Sequence, residues 1–331
     1  MDLAVERFGV RFRNPVLLAA GTCGFGEEVV RVAGMGGLGG LVTKSVTLEP
    51  RWGNPAPRVT EFRAGMMNSV GLANPGAKVV LAEKLPWIRD HLSDLHVFVS
   101  VAGHSPEEYF RIVEILDQGA GFLGFEINLS CPNDTRRSGL SFALDPEALG
   151  IVLRGVRERT DRPILAKLAP HTPDLSPVVA AAEAAGADGL TLVNTLPGLR
   201  FDTRTGESVL GAGPGGVSGP ALLPVGVHAV WRASLATGLP LVGVGGISCG
   251  DDALQYFLAG ASLVQIGTAS FWDPRAAVRV AQQMHQIGRK RSTVRMMDLV
   301  GTGRVASAPG AGAHDGEKSS ELLESVRATQ E

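Results

Sequence analysis

Eight short apolar stretches of strand length alternate along the chain with segments that have the periodicity of amphipathic helices. Continuous apolar runs of this kind are typical of parallel strands that are buried on both faces. The eight runs are Val16–Ala20, Leu41–Thr43, Val97–Val101, Phe122–Ile127, Ile164–Leu168, Gly189–Val193, Leu241–Val244 and Leu263–Ile266. Eight such strands alternating with helices predict an α/β fold, the (β/α)8 TIM barrel, with its working face at the carboxyl ends of the strands.

Three segments lie outside this alternation. Two short alternating runs, Leu3–Phe8 and Val10–Arg13, predict an N-terminal β-hairpin that plugs one end of the barrel. The connection from Val46 to about Pro75 is unusually long, and connections of that length are usually functional, so we expect inserted active-site loops. Residues 1–304 are predicted to form the barrel domain, and the Gly, Ala, Ser and Pro-rich residues 305–331 a disordered tail.

Charge and cysteine content narrow the class of protein. A formal net charge of −2 over 331 residues gives no electrostatic reason to expect nucleic acid or an anionic membrane as a partner. No apolar run reaches the ~20 residues needed to cross a bilayer, and the N-terminus has no signal-peptide core. Cys23, Cys131 and Cys249 lie far apart and make neither a disulfide framework nor a metal-ligand pattern. We therefore expect a cytoplasmic protein without a bound metal.

Polar residues follow several of the apolar strands directly. Lys44-Ser45, Asn128, Lys167 and Asn194-Thr195 all stand at or just after predicted strand ends. A single lysine at such a position is often only solvated. Four polar strand ends at one barrel mouth instead indicate a shared polar pocket, because that mouth is where barrel enzymes bind their ligands.

The loop after the fourth strand carries the chain's most reactive group. It reads Asn128-Leu129-Ser130-Cys131-Pro132-Asn133 and places a thiol among two amides and a hydroxyl. Pro132 fixes its own φ and favours an extended Cys131, which suits a thiol that points out of a stiff turn. The alternative is a small buried hydrophobe, the usual role of a free cysteine and our preferred interpretation of Cys23 and Cys249.

Small residues after the last two strands predict a phosphate site. Gly245-Gly246 and Gly267-Thr268 leave backbone N–H groups open to a phosphate, as in many barrels, whether the phosphate belongs to a cofactor or to a substrate. Two matches to G-x-G-x-x-G, beginning at Gly34 and Gly211, lack the strand, turn and helix context of a dinucleotide site. In a chain with 43 glycines we attribute them to chance.

As an ordered set, the motifs resemble those of one enzyme family over roughly residues 1–301. The chain is similar to the dihydroorotate dehydrogenases, and within them to the soluble class 1 flavoproteins. The matching stretches are Thr43-Lys44-Ser45, Gly53-Asn54-Pro55, Gly65–Leu72, Asn128–Asn133, Lys167-Leu168, Asn194-Thr195, Gly215–Pro220, Gly245-Gly246-Ile247 and Gly267-Thr268. Ala20 and Ser100 depart from the family pattern, where relatives often carry Ser and Asn.

The resemblance implies FMN at the barrel mouth and oxidation of (S)-dihydroorotate to orotate in de novo pyrimidine (UMP) biosynthesis. The implied FMN contacts are Ala20, Lys44, Ser45, Ser100, Asn128, Lys167, Val193, Gly219, Gly245, Gly246, Gly267 and Thr268. The implied substrate contacts are Lys44, Asn68, Ser69, Val70, Gly71, Leu72, Asn128, Asn194 and Thr195.

This reaction removes a proton from C5 of the substrate and passes a hydride from C6 to flavin N5, so it needs a base opposite the flavin. Cys131 is the candidate that the loop offers. A free thiol has a pKa near ~8.5, so nearby cations or loop closure must assist it, or the enzyme works better in alkali. Lys167 is expected to stabilise negative charge on the reduced flavin.

The loop after Cys131 looks closer to the NAD-linked class 1B than to the fumarate-using class 1A. Class 1B implies a homodimer of this chain that joins a separate FAD and iron–sulfur subunit in a heterotetramer. The alternatives are a flavin-free lyase or isomerase barrel with a phosphorylated substrate, another FMN-dependent pyrimidine oxidoreductase, and a catalytically silent barrel that serves as an interaction subunit.

Overall fold

The computed structural model describes residues 1–34, 36–129, 141–172, 174–290 and 294–305 of the chain. Within these ranges there are fourteen strands. In chain order they are β1 (Val5–Arg7), β2 (Val10–Phe12), β3 (Val16–Leu18), β4 (Gly40–Val42), β5 (Val59–Phe62), β6 (Gly65–Asn68), β7 (His96–Val101), β8 (Gly124–Asn128), β9 (Ile164–Leu168), β10 (Gly189–Leu192), β11 (Leu196–Gly198), β12 (Gly215–Ser218), β13 (Leu241–Val244) and β14 (Leu263–Ile266).

Eight of these strands close into a parallel barrel in the order β3, β4, β7, β8, β9, β10, β13, β14. The predicted (β/α)8 fold is thus confirmed, and the predicted strand ends differ from the observed ones by no more than two residues. The register places Asn128 opposite Lys167, and Lys167 opposite Thr191. Because inward-facing residues alternate along each strand, this register brings polar side chains of neighbouring strands to one level of the barrel interior.

Ten α-helices of the described residues pack around the barrel. They are α1 (Glu27–Ala33), α2 (Ala77–Val79), α3 (Leu85–His91), α4 (Pro106–Leu116), α5 (Pro146–Arg157), α6 (Ser176–Ala184), α7 (Leu223–Ser234), α8 (Gly250–Ala259), α9 (Ala269–Trp272) and α10 (Ala276–Lys290). The sequence marks the start of α4 and α5, where Ser105 and Asp145 cap the first turn and a proline follows each cap. The segment from α2 to α3, joined by a π-helical turn over Val80–Lys84, was not anticipated.

The predicted N-terminal hairpin is confirmed as β1 and β2, which pair antiparallel. Its residues Val5 and Phe12 are buried against the first residues of the barrel strands, including Leu165 and Leu263. Phe8 adds an edge-to-face contact with Phe98, with 5.7 Å between the ring centroids. The hairpin therefore closes the amino end of the barrel, opposite the mouth.

A second sheet joins the two inserted loops. Its strand order is β11, β12, β6, β5, and all neighbours are antiparallel. Two of its strands come from the long connection after β4, and the other two follow β10. The pairing of Met67 with Val217 joins segments that are far apart in the chain, so the sequence pattern did not reveal this sheet.

Two sequence predictions concern residues outside the described ranges. The loop Ser130–Leu140, with Cys131, lies outside them, as do residues 306–331, so the base assignment and the domain boundary at residue 304 stay predictions. Over the part of the chain that is described, no helix is both long and apolar enough to cross a membrane.

Candidate active site

A cavity opens at the carboxyl ends of the barrel strands. Its walls come from the strand ends, from the second sheet and from the segment after β14. The empty space between these walls is about 1430 Å³, a value that includes open solvent at the mouth. This end of the strands is where (β/α)8 barrel enzymes bind their ligands.

The cavity gathers most of the residues that the sequence singled out. The predicted residues in its lining are Ala20, Lys44, Ser45, Asn68, Val70, Gly71, Leu72, Asn128, Lys167, Val193, Asn194, Thr195, Gly219, Gly245, Gly246, Gly267 and Thr268. Ser69 and Ser100 are buried and do not line it. Ser69 Oγ accepts a hydrogen bond from Asn54 Nδ2 at 2.8 Å, so this serine anchors the loop whose next three residues reach the cavity.

Hydrogen bonds connect the amide and hydroxyl side chains of the wall. Asn194 Nδ2 donates to Asn128 Oδ1 at 3.1 Å, and Asn128 Nδ2 donates to Ser45 Oγ at 3.4 Å. Ser45 Oγ in turn lies 2.8 Å from Ser100 Oγ. Ser100 thus acts behind the wall, as a partner of Ser45. Side chains held by such a network need little reordering when a ligand binds.

The glycine loop after β13, and Gly219 directly after β12, have backbone shapes that side chains do not tolerate. Gly245 has φ +125° and Gly246 has φ +73°, and a Cβ on Gly246 would clash with the backbone nitrogen of Leu223 at the start of α7. Gly219, with φ +94°, lies against Gly65. The result is a concave wall without side chains next to the first turn of α7, which suits an anionic group such as a phosphate.

The floor of the cavity is polar, and the sequence analysis predicted only one of its residues, Lys167. Lys167 Nζ lies 3.0 Å from Glu126 Oε1, and both side chains are almost fully buried. Gln265, which also lines the cavity, donates through Nε2 to Glu126 Oε2 at 2.7 Å. Glu126 and Gln265 each lie within an otherwise apolar strand. A single polar residue in a buried apolar run was the only sequence feature that could have indicated them.

The rim carries two exposed aromatic residues that the sequence reading also missed. Phe271 and Trp272 of α9 line the cavity, and these residues are 55% and 49% exposed. Trp272 Nε1 donates to Glu61 Oε1 at 3.3 Å, which ties α9 to strand β5. One side of the mouth is therefore apolar and open.

The two cysteines in the described ranges do not lie in the cavity lining. Cys23 is buried, and its Sγ donates to Val42 O at 3.3 Å. Burial raises the pKa of its thiol to about 12, and the Glu28 carboxylate adds to this. Cys23 is thus a neutral thiol over the physiological range, in agreement with the structural role expected from the sequence. Across the described ranges, no three His, Cys, Asp or Glu side chains are grouped as metal ligands.

Comparison with known proteins identifies the family. A family model described as dihydroorotate dehydrogenase matches residues 2–287. A relative from Solibacter usitatus, provisionally named dihydroorotate dehydrogenase A (fumarate), is 42% identical over 301 residues, covering 91% of this chain and 98% of the relative. The catalytic subunit of dihydroorotate dehydrogenase B (NAD(+)) from Desulforudis audaxviator is 44% identical over 298 residues, covering 90% and 96%.

The fold has a solved counterpart. The crystal structure of DHODH from Eimeria tenella in complex with ferulenol superposes with a TM-score of 0.77 at 24% identity, over 91% of this chain and 88% of that one. At this identity the likeness supports the barrel fold alone. The family model and the close relatives, which span nearly the whole barrel, carry the assignment. The chain belongs to the dihydroorotate dehydrogenase family.

Proposed function

We propose that this chain is the FMN-binding catalytic subunit of a class 1B dihydroorotate dehydrogenase, which oxidises (S)-dihydroorotate to orotate in pyrimidine biosynthesis. Family membership supports the reaction. The observation that carries the site is the cavity at the barrel mouth. It brings together Lys44, Asn128, Lys167 and both glycine loops, which are distant in sequence, on one concave surface.

The donor set fits FMN in its chemistry. Gly245 and Gly246 form a wall without side chains that suits the phosphate. Gln265 Oε1 on the floor is buried and has no hydrogen-bond donor among the described residues, so it can accept one from a ligand. Lys167 supplies a cation at the same floor. A planar ring with hydrogen-bonding edges and a phosphate tail would satisfy all three features.

FMN, when bound, supplies the hydride acceptor of the reaction. The chain's own residues then have three tasks. Asn68, Asn194 and Thr195 offer amide and hydroxyl groups for the polar edges of the substrate, and Lys44 offers a cation for its carboxylate. Lys167, which lines the cavity floor, would favour extra negative charge on a flavin ring bound there.

We assign removal of the C5 proton to Cys131. The assignment rests on the sequence, since Cys131 follows Asn128 by three positions and Asn128 both ends β8 and lines the cavity. A loop that leaves the strand at this point starts beside the ligand. The thiolate is the active base, so the rate of proton removal should rise with pH until the thiol is ionised.

The proposal also includes the identity of the electron acceptor, NAD or fumarate, that reoxidises the flavin. The sequence after Cys131 and the naming of relatives such as that from Desulforudis audaxviator favour NAD, whereas the Solibacter usitatus relative carries the fumarate name. We propose a homodimer that joins a separate FAD and iron–sulfur subunit. We also propose the cytoplasm as the location, because three scattered cysteines suit a reducing compartment.

One absorbance experiment tests the core of the proposal. The purified protein should be yellow, and its flavin band should bleach anaerobically when dihydroorotate is added. A colourless protein that FMN cannot reconstitute would exclude the flavin reaction and favour the lyase or isomerase alternative. The acceptor is tested by orotate formation with fumarate, and with NAD and the separate subunit. Turnover of the isolated chain with fumarate would assign class 1A.

A further inference from the structure

Glu126 is a fully buried carboxylate in the barrel interior whose contacts the proposed function leaves unexplained. It lies on β8, two residues before Asn128, so the two side chains point to the same side of the strand. Its oxygens contact Lys167 Nζ at 3.0 Å, Thr191 Oγ1 at 3.0 Å and Gln265 Nε2 at 2.7 Å. The four side chains form one polar layer, hereafter the floor layer.

Packing alone does not account for this layer. Barrel interiors are usually filled by branched apolar side chains, and the next layer towards the hairpin follows that rule with Leu165 and Leu263. A buried ion pair is often no more stabilising than apolar residues of similar volume, because both charges lose their hydration. The floor layer therefore calls for an explanation other than stability, and two of its members, Lys167 and Gln265, reach the cavity.

Glu126 determines which way the Gln265 amide faces. A carboxylate has only acceptor atoms, so Gln265 must present its NH2 group to Glu126 and turn its carbonyl oxygen away. That oxygen, Oε1, is buried and has no donor in the described ranges. An unpaired buried acceptor is costly, and its residue lines the cavity. A donor group on a ligand in the cavity would satisfy this oxygen.

We propose that Gln265 accepts a hydrogen bond from the ring N–H of the bound flavin, and that Glu126 is the positioning residue that makes this possible. Glu126 binds the NH2 group of Gln265 and the ammonium group of Lys167. It thereby holds a hydrogen-bond acceptor, Gln265 Oε1, and a cation, Lys167, side by side at the cavity floor. This inference rests on the proposed function, since it takes FMN as the cofactor. Oxidised flavin has one ring N–H, so the floor recognises that edge of the ring.

A modified cofactor tests the contact directly. FMN and an FMN analogue methylated at the ring N–H are titrated into apoprotein, and each dissociation constant is measured by quenching of flavin fluorescence. Losing one buried hydrogen bond weakens binding by roughly tenfold. The methyl group should therefore cost roughly ten times more in the wild-type protein than in Gln265→Ala, which lacks the acceptor and has room for the methyl group.

The positioning role of Glu126 has its own signature. In Glu126→Gln the new amide can donate to Gln265 Oε1, which then no longer needs a donor from the flavin. The loss of affinity on methylating FMN should therefore be smaller than in wild type, although Gln265 is intact. Loss of the buried negative charge should also shift the midpoint potential of bound FMN to more positive values. Glu126→Asp keeps the charge but withdraws the carboxylate from Gln265, so it should likewise reduce the methylation cost if Glu126→Gln fails to fold.

Asp117→Asn is the matched control. Asp117 caps the C-terminus of α4, pairs with Arg162 at 3.0 Å and is not part of the cavity lining. This variant should therefore keep the wild-type loss of affinity on methylation and the wild-type midpoint potential of bound FMN. An equal methylation cost in wild type, Gln265→Ala and the Glu126 variants would overturn the inference while leaving FMN binding in place. A protein that takes up no FMN would overturn the proposed function as well.

Discussion

Tyr256 Oη donates a hydrogen bond to the carbonyl oxygen of Gly245 at 2.7 Å. This contact joins α8 to the glycine loop after β13, and the Tyr256 ring also packs against Gly226 and Gly243, where a Cβ would collide with it. Burial raises the pKa of Tyr256, with a smaller contribution from the Asp252 carboxylate, so the hydroxyl stays protonated and able to donate. A tyrosine behind the cavity thus holds the shape of the proposed phosphate loop.

We expect Tyr256→Phe to lower the free energy of unfolding by about 1 kcal/mol and to weaken FMN binding severalfold. One buried hydrogen bond is lost while the ring stays, and the glycine loop gains freedom that the phosphate must then restrict. Thermal unfolding of the apoprotein and an FMN titration measure the two effects. Unchanged FMN affinity would show that the loop keeps its shape without Tyr256.

Alanine at two cavity glycines should have contrasting effects. Gly246→Ala forces a Cβ onto the Leu223 backbone at φ +73°, and we expect both lower stability and loss of FMN binding. Gly267→Ala meets only ordinary contacts, with the Ala19 Cβ at 3.4 Å, so it should fold normally and still weaken FMN binding by crowding the wall. Gly238→Ala, with nothing within 4 Å of the new Cβ, is the control. Equal melting temperatures for all three variants would contradict the steric argument.

Cys131→Ala should keep the affinity for FMN and orotate but slow flavin reduction by dihydroorotate by several orders of magnitude, because it removes the proposed base. Anaerobic stopped-flow absorbance measures the reduction rate. Cys249→Ala, which replaces a thiol outside the cavity lining, should reduce at the wild-type rate. Reduction of Cys131→Ala at the wild-type rate would remove Cys131 from the role of base.

The Lys167 and Glu126 pair should be strongly coupled. Lys167→Met leaves the Glu126 carboxylate buried without its cation, and breaking a buried pair in this way costs about 3–5 kcal/mol of the free energy of unfolding. The double variant Lys167→Met and Glu126→Gln removes the uncompensated charge and should recover much of this loss. Denaturant unfolding of the four proteins gives the coupling energy. Additive effects would mean that the two charges do not interact.

The buried Cys23 thiol should make stability depend on alkaline pH. Its pKa is raised to about 12 in the folded protein from an ordinary value of 9.0. Above pH 9 the unfolded chain loses this proton and the folded protein keeps it, so stability falls as pH rises, by up to about 1.4 kcal/mol per pH unit, towards pH 12. Cys23→Ala should lose less stability than wild type between pH 9 and 10.5 in denaturant titrations. Parallel losses would contradict the assignment.

Local pattern was sufficient to predict the barrel. Each buried parallel strand is a continuous apolar run, and each glycine loop directly follows a strand. Short segments such as Gly245-Gly246 therefore predicted the order of the strands, the end of the barrel that holds the site and most of the residues that line the cavity. The four-stranded sheet did not follow, because Met67 and Val217 pair although they are far apart in the chain, and no local pattern relates them.

The sequence by itself determined the eight strands, the end of the barrel that holds the site, and the family to which the chain belongs. Only the tertiary structure decided that Glu126, Lys167, Thr191 and Gln265 meet, since they lie on four different strands and come into contact when the barrel closes. It also decided that Ser69 and Ser100 stand behind the cavity wall. The physical reason is that strand periodicity gives the side of a strand, whereas the contacts across a barrel depend on the register of every strand around it.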